Sequence, residues 1–148
     1  MEKILTIATP ENLPLVLNII HDCKFDKEQI VFKPETSILE ICFHREQWNK
    51  KGEVVGKFLF FQRLEVSIVE YRMKICHAES YQIHEGRKIG PGSEDFFNTI
   101  TYDEQQKQIW IGTVIAKGIA VKVRGFELFI EETDKVIEKK THIILAKI

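Results

Sequence analysis

One alternating pattern of apolar and polar residues occurs twice in this 148-residue chain. In each copy two alternating stretches flank a polar turn, and the same-face apolar positions 30, 32, 39 and 41 recur at 100, 102, 109 and 111. Such alternation is typical of β-strands with one buried face, because successive side chains point to opposite sides of a strand. The pattern therefore predicts two β-hairpins, at about 28–45 and 97–115, with turns at 33–37 and 103–107.

Alternating or strongly apolar stretches elsewhere predict further strands. They lie at about 3–7, 54–69, 69–83, 118–132 and 136–148. The stretch 54–69 is so apolar that we expect it to be buried on both faces, and its window Phe58–Phe61 is bracketed by the charges of Lys57 and Arg63. The stretch 69–83 predicts one long strand or two strands joined by a bend at 77–80, and Gly125 predicts a bulge.

A single helix is predicted near the N-terminus, at about 10–21. Thr9-Pro10 is a helix-start signal, because Thr can cap free amides and Pro is tolerated in the first turn. Leu13, Val16, Leu17 and Ile20 then follow at the spacing of one helical face.

These elements predict a mainly antiparallel β fold, a sandwich or open barrel, with one N-terminal α-helix on one sheet face or end. The length indicates a single domain over 1–148. Residues 64–68 resemble residues 126–130, so we hypothesise internal duplication of a hairpin-plus-strand unit. The alternative is that any antiparallel sheet produces hairpins that look alike.

Charge and cysteine content narrow the function classes. The chain has 21 basic and 22 acidic residues, without the basic excess of a nucleic-acid binder. No apolar stretch has the length of a membrane span, and the first residues do not have the pattern of a signal peptide. The three cysteines are widely spaced, which favours reduced thiols and a cytoplasmic location.

His21 and Asp22, at the predicted end of the helix, are the candidate catalytic residues. Imidazole and carboxylate form the commonest proton-transfer pair. The alternative is structural, because a histidine at a helix C-terminus interacts favourably with the helix dipole and Asp22 can start the next turn.

Four other side chains are candidate metal ligands: Cys42, His44, Cys76 and His84. Cys42 and His44 lie two residues apart on one predicted strand and therefore share a face. Thiolate and imidazole could complete a tetrahedral zinc site if the two strands adjoin. The alternative is that the cysteines fill small spaces and the histidines are hydrogen-bonded surface residues.

The usual catalytic motifs are absent from the sequence. Residues 52–57 resemble a phosphate-binding loop but have too short a spacing, and no G-x-S-x-G elbow occurs. We therefore expect a non-catalytic cytoplasmic protein-interaction or structural module, with a protein partner or self-association and without cofactor, nucleic acid or membrane. The alternatives are an enzyme or small-ligand or metal-binding protein that uses His, Cys and Asp on the polar sheet face, and an open barrel holding an apolar ligand in a cavity of several hundred Å³. Trp48 is expected to cover the core, or else to be an exposed binding aromatic.

Overall fold

A computed structural model describes residues 2–48, 52–86 and 92–145 of the chain. These ranges contain one α-helix, α1 (Leu13–Ile20), preceded by a 3₁₀ turn at Pro10–Asn12. The strands are β1 (Glu2–Ile7), β2 (Lys24–Asp26), β3 (Val31–Lys33), β4 (Ile38–Glu46), β5 (Glu53–Phe58), β6 (Phe61–Ile75), β7 (Ala78–His84), β8 (Glu94–Asp103), β9 (Gln108–Thr113), β10 (Gly118–Val123) and β11 (Leu128–Leu145). The predicted fold class, mainly antiparallel β with one N-terminal helix, is confirmed. The last three residues of the predicted strand 136–148 lie outside the described ranges.

All the strands belong to one antiparallel sheet that is not closed. Its order is β1-β11-β6-β4-β2-β8-β9-β10-β7, with β3 beside β4 and β5 beside β6. Within the described ranges, β1 and β7 stand at the two ends of this order. None of the helices there has the length and apolarity that crossing a membrane would require.

The two predicted hairpins are present as β3–β4 and β8–β9. Ile41 and Ile111, which occupy corresponding positions, are both fully buried, and Cys42 lies on the opposite face from Ile41. Ser37 and Lys107, at the ends of the two turns, both have positive φ. Duplication and ordinary hairpin geometry both produce this correspondence, so duplication stays a hypothesis.

The sheet has two parts, β1-β11-β6-β4-β2 with β3 and β5, and β8-β9-β10-β7, and the core includes side chains of both parts. The chain crosses from one part to the other at His77, between β6 and β7, and again between β10 and β11. The two crossings are bonded together, since the amide of Arg124 donates to the carbonyl of His77 at 2.9 Å. Side chains of α1 and of both parts of the sheet form one buried cluster. Trp48 packs against this cluster and its amide donates to the Tyr71 hydroxyl at 2.6 Å, so Trp48 covers the core as predicted.

The strand prediction for 118–132 needs correction. The stretch 118–132 is two strands, β10 and β11, and Gly125 lies in the crossing between them rather than in a bulge. A Cβ at Gly125 would lie 3.4 Å from the His77 ring, so the residue sits where the two crossings meet. The stretch 69–83 forms two strands joined by a bend, which is one of the two predicted forms; the bend lies at Cys76 and His77, where His77 adopts a positive φ of 56°.

A three-stranded arm extends from the sheet beyond the core. It consists of β5, residues 61–68 of β6 and residues 136–145 of β11. The prediction that 54–69 is buried on both faces was wrong, because Val54, Val55 and Phe58 to Phe61 are exposed. The reason is that β4 ends its pairing with β6 at Glu46 opposite Ile68, so the core does not continue along the arm.

Candidate functional site

The end of the arm carries a cluster of exposed apolar side chains, which we call the apolar tip. Its members are Phe58, Leu59, Phe60, Phe61, Ile143, Ile144 and Leu145. Leu59 is 78% exposed and Phe58 is 73% exposed. The register places Phe58, Phe61 and Leu145 side by side across the three strands, so the outermost row of the arm is entirely apolar.

The turn at the apolar tip has an unusual backbone. Leu59 and Phe60 are the two turn residues between β5 and β6, and Leu59 has a φ of 53°. Glycine or asparagine normally occupies such a position, because an L-residue with a bulky side chain is strained there. The chain thus places an exposed leucine where both solvation and backbone geometry disfavour it, and such conformations cluster at functional sites.

A groove of about 620 Å³ lies on the arm near the tip. Phe58, Phe61 and Ile143 supply apolar walls, and Lys57 and Arg63 supply positive charge. The groove reaches the volume expected for a small-ligand site, but it lies on the arm and not inside the core.

His21 and Asp22 form an exposed pair where α1 ends. Nδ1 of His21 lies 3.2 Å from Oδ2 of Asp22. Backbone hydrogen bonds account for the positions of both residues. The His21 amide continues the helix by donating to the carbonyl of Leu17. The Asp22 amide donates to the carbonyl of Phe97 at 2.8 Å, and Asp22 has a φ of 61°. Asp22 and His44 both line a groove of about 480 Å³. A catalytic role for the pair stays a prediction.

The structure brings together two of the four candidate metal ligands. Cys42 and His44 line a small pocket of about 160 Å³. Cys76 lies in the crossing after β6, and His84 lies at the end of β7, where its ring centroid is 5.5 Å from that of Trp110. Among the residues described, no group of three or more His, Cys, Asp or Glu side chains is arranged to hold a metal ion.

The ionisation of the candidate ligands follows their burial. Burial raises the pKa of Cys23 to about 11, and it raises the pKa values of Cys42 and Cys76 above the ordinary value. Burial, reinforced by Lys24, lowers the pKa of His44. The three thiols are therefore protonated at neutral pH, which disfavours them as nucleophiles because the thiolate is the reactive form.

Asp95 is a buried residue with several polar contacts, and the sequence analysis missed it. Its carboxylate is fully buried and accepts hydrogen bonds from four backbone amides, those of Phe96, Val114, Ile115 and Ala116. Three of these partners come from the loop after β9, about twenty positions along the chain, and no local motif signals such a contact. Asp95 shapes this loop.

Comparison with known proteins finds no family model, no curated protein and no solved structure that matches this chain significantly.

Proposed function

We propose that this chain is a non-catalytic, cytoplasmic protein-interaction module that binds a partner protein through its arm. The observation that carries the proposal is the apolar tip, seven large side chains exposed at the end of a projecting sheet. Three free cysteines agree with a reducing compartment.

The composition of the tip favours binding over a structural role. Full burial of a side chain such as Leu or Phe stabilises by about 1.5–3 kcal/mol, and the tip forgoes most of this in the free chain. Contiguous exposed apolar surface of this kind marks interaction sites in soluble proteins. The strained φ at Leu59 also favours a binding role over a structural one, because a glycine at this position would relieve the strain.

The location of the tip on strand edges favours a protein partner. Within the described residues, β5 and the arm portion of β11 pair with β6 alone, so each has an unpaired edge. Phe58 and Ile143 lie on these edge strands. A protein can supply both an apolar pocket and a strand that satisfies the free amides, as in β-strand addition. Hydrocarbon cannot satisfy them.

The enzyme and metal alternatives draw less support. Cys42 and His44 share a pocket, but among the described residues no group of three or more potential ligands is arranged to hold a metal ion, and the raised pKa of Cys42 disfavours the thiolate that nucleophilic attack requires.

Site-specific photocrosslinking in the native cell tests the proposal. A benzoylphenylalanine in place of Phe60 keeps an aromatic side chain at the tip, and the same residue in place of the exposed Gln105 is the control on a different turn. We expect defined protein adducts from position 60 that are absent from position 105. A second substitution, Leu59→Asn, should abolish the adducts without unfolding the protein. Equal adducts at both positions, or adducts that survive Leu59→Asn, would contradict the proposal.

A further inference from the structure

The edge strand β5 has a gap in its side chains at Gly56. The register places Gly56 opposite Arg63, and Arg63 opposite Ile143, so these three residues form one row across the arm. The next row on the same face contains Phe58 and Phe61. Among the described residues, a Cβ at Gly56 would have one listed neighbour within 4 Å, the Cβ of Arg63 at 3.8 Å. The edge of the arm is therefore open directly beside two phenylalanine residues.

A glycine at this position favours the close approach of another chain. Glycine inside a strand weakens the strand, and it often marks a site where a ligand or another backbone comes close. An aromatic side chain on a neighbouring strand can compensate for such a glycine by covering it, an arrangement called aromatic rescue. Within the described residues β5 pairs with β6 alone, and the residue of β6 opposite Gly56 is Arg63, which has no aromatic ring. A strand added to the free edge of β5 can supply one.

The fixed charge at the end of the arm is entirely positive. Residues 54–64 and 139–145 contain four lysine and arginine residues and no aspartate or glutamate, although the whole chain has 22 acidic residues. Two of the four basic side chains are paired with glutamates elsewhere on the arm. Among the described residues, the other two, Lys57 and Arg63, have no carboxylate partner, and both line the groove. The gap at Gly56 therefore lies beside two uncompensated positive charges.

We propose that the partner contributes an extended segment that pairs with β5 and carries an aromatic residue opposite Gly56 and an acidic residue opposite Lys57. This inference rests on the proposed function, because it identifies the chemistry of the protein that the arm binds. The aromatic ring covers the gap, contacts Phe58 and lies against the guanidinium group of Arg63, which is attracted to the face of an aromatic ring. The carboxylate lies opposite the ammonium group of Lys57, as in a cross-strand ion pair.

Charge and the free strand edge distinguish this occupant from two others. A second copy of the arm would bring the same positive charges together, and like charges directly opposite one another destabilise paired strands. An anionic lipid surface would match the charge, but hydrocarbon cannot satisfy the free amides of the β5 edge. An acidic and aromatic strand satisfies the charge, the gap and the edge together.

Selection from a random library of displayed peptides tests this chemistry. With the native chain as the target, we expect peptides that share an aromatic residue next to aspartate or glutamate. With Lys57→Glu as the target, the residue beside the aromatic should change to lysine or arginine. Lys122→Glu, which reverses an exposed charge on β10, is the matched control and should select the same peptides as the native chain. No enrichment over background, enrichment without the aromatic and acidic pair, or unchanged peptides with Lys57→Glu would overturn the inference.

Filling the gap tests the position of the aromatic ring. Gly56→Val places a side chain in open space, and valine is favoured in strands, so circular dichroism should show a folded variant. In fluorescence anisotropy, a selected peptide should bind this variant at least about tenfold more weakly than it binds the native chain, because the ring loses its place. Thr101→Val, which introduces valine at an exposed position of β8, should bind like the native chain. Undiminished binding to Gly56→Val would contradict the inference.

Cosedimentation with vesicles of phosphatidylcholine and phosphatidylserine tests the lipid alternative. We expect the native chain to bind these vesicles no more than Leu59→Asn does. Stronger binding by the native chain would assign the apolar tip and its positive charges to a membrane surface, and would overturn the inference.

The inference and the proposed function can fail separately. Protein adducts from position 60 that persist undiminished in Gly56→Val would overturn the partner chemistry and leave a protein partner at the apolar tip. Absence of adducts in the native background would contradict the proposed function, on which this inference rests.

Discussion

Replacing Asp95 with asparagine is the sharpest test of the forces that hold the body of the protein together. Oδ1 of Asp95 accepts amide hydrogen bonds from Phe96 at 2.7 Å, Val114 at 3.1 Å and Ile115 at 2.8 Å. Oδ2 accepts the amide of Ala116 at 2.8 Å. One buried carboxylate thus organises the loop between β9 and β10.

The expected loss follows from these four bonds. In Asp95→Asn the side chain keeps one oxygen for three amides but loses the negative charge, and its NH₂ group faces the amide donor of Ala116. A hydrogen bond to a charged group contributes about 1.5–3 kcal/mol and a neutral bond about 0.5–1.5 kcal/mol. On this scale the lost bond removes about 1.5–3 kcal/mol and each of the three weakened bonds about 1 kcal/mol, partly offset because the amide no longer buries a charge, so we expect a destabilisation of at least about 3 kcal/mol. Urea unfolding at pH 7 measures it, and a loss below about 1 kcal/mol would refute the reasoning.

The same carboxylate predicts how the stability depends on pH. Burial alone would raise the pKa of Asp95, but the amide hydrogen bonds outweigh burial and hold the pKa below its ordinary value of 3.8. Because the folded pKa is lower than the unfolded one, the carboxylate stabilises fully above the unfolded pKa, and this contribution is lost as the pH falls through the folded pKa. The difference in unfolding free energy between the native chain and Asp95→Asn should therefore narrow below about pH 4. A constant difference from neutral to acidic pH would contradict this account.

Three further outcomes are expected. Leu59→Asn should raise the free energy of unfolding by about 0.5–1 kcal/mol in urea titration, because asparagine tolerates the positive φ; a decrease would show that the turn is not strained. Gly118→Ala should lower the free energy of unfolding by about 2 kcal/mol or more, because its Cβ would lie 2.5 Å from the carbonyl oxygen of Ile111. Gly56→Ala should leave the midpoint of thermal unfolding unchanged, because the atom nearest to its Cβ would be 3.8 Å away. Similar shifts of the midpoint for both variants would count against the clash. The Cys23 thiol, with a pKa of about 11, should react with a thiol reagent at about pH 8 only after denaturant is added, and reaction in the native state would contradict its burial.

The hairpins could be predicted because their information is local. In β4 the alternation of Ile41 and Cys42 decides which side chain faces the core, and the polar turn before it decides where the chain reverses. The same holds for β9. Local periodicity and turn composition are available in any short window of sequence, so the order of strands along the chain followed from it.

The arm and the Asp95 loop could not be predicted for two different physical reasons. Apolar content indicates that a strand favours burial, but it does not show that the core extends far enough to cover it; here β4 ends at Glu46. The turn at Leu59 carries none of the residue types that normally mark reversals. Asp95 satisfies amides of a distant loop, and only the folded chain brings that loop to it.

The two longest strands, β6 and β11, run from the core into the arm. β6 and β11 pair over most of their length, yet Tyr71 in β6 is fully buried while Phe61 in the same strand is nearly half exposed. Side-chain type does not account for the difference, since both are aromatic; the neighbouring elements do. Within the described residues, the buried core cluster includes no side chain of the arm. The arm is therefore anchored by strands that the core already stabilises, and its exposed surface can be shaped for a partner with little effect on the folding of the body.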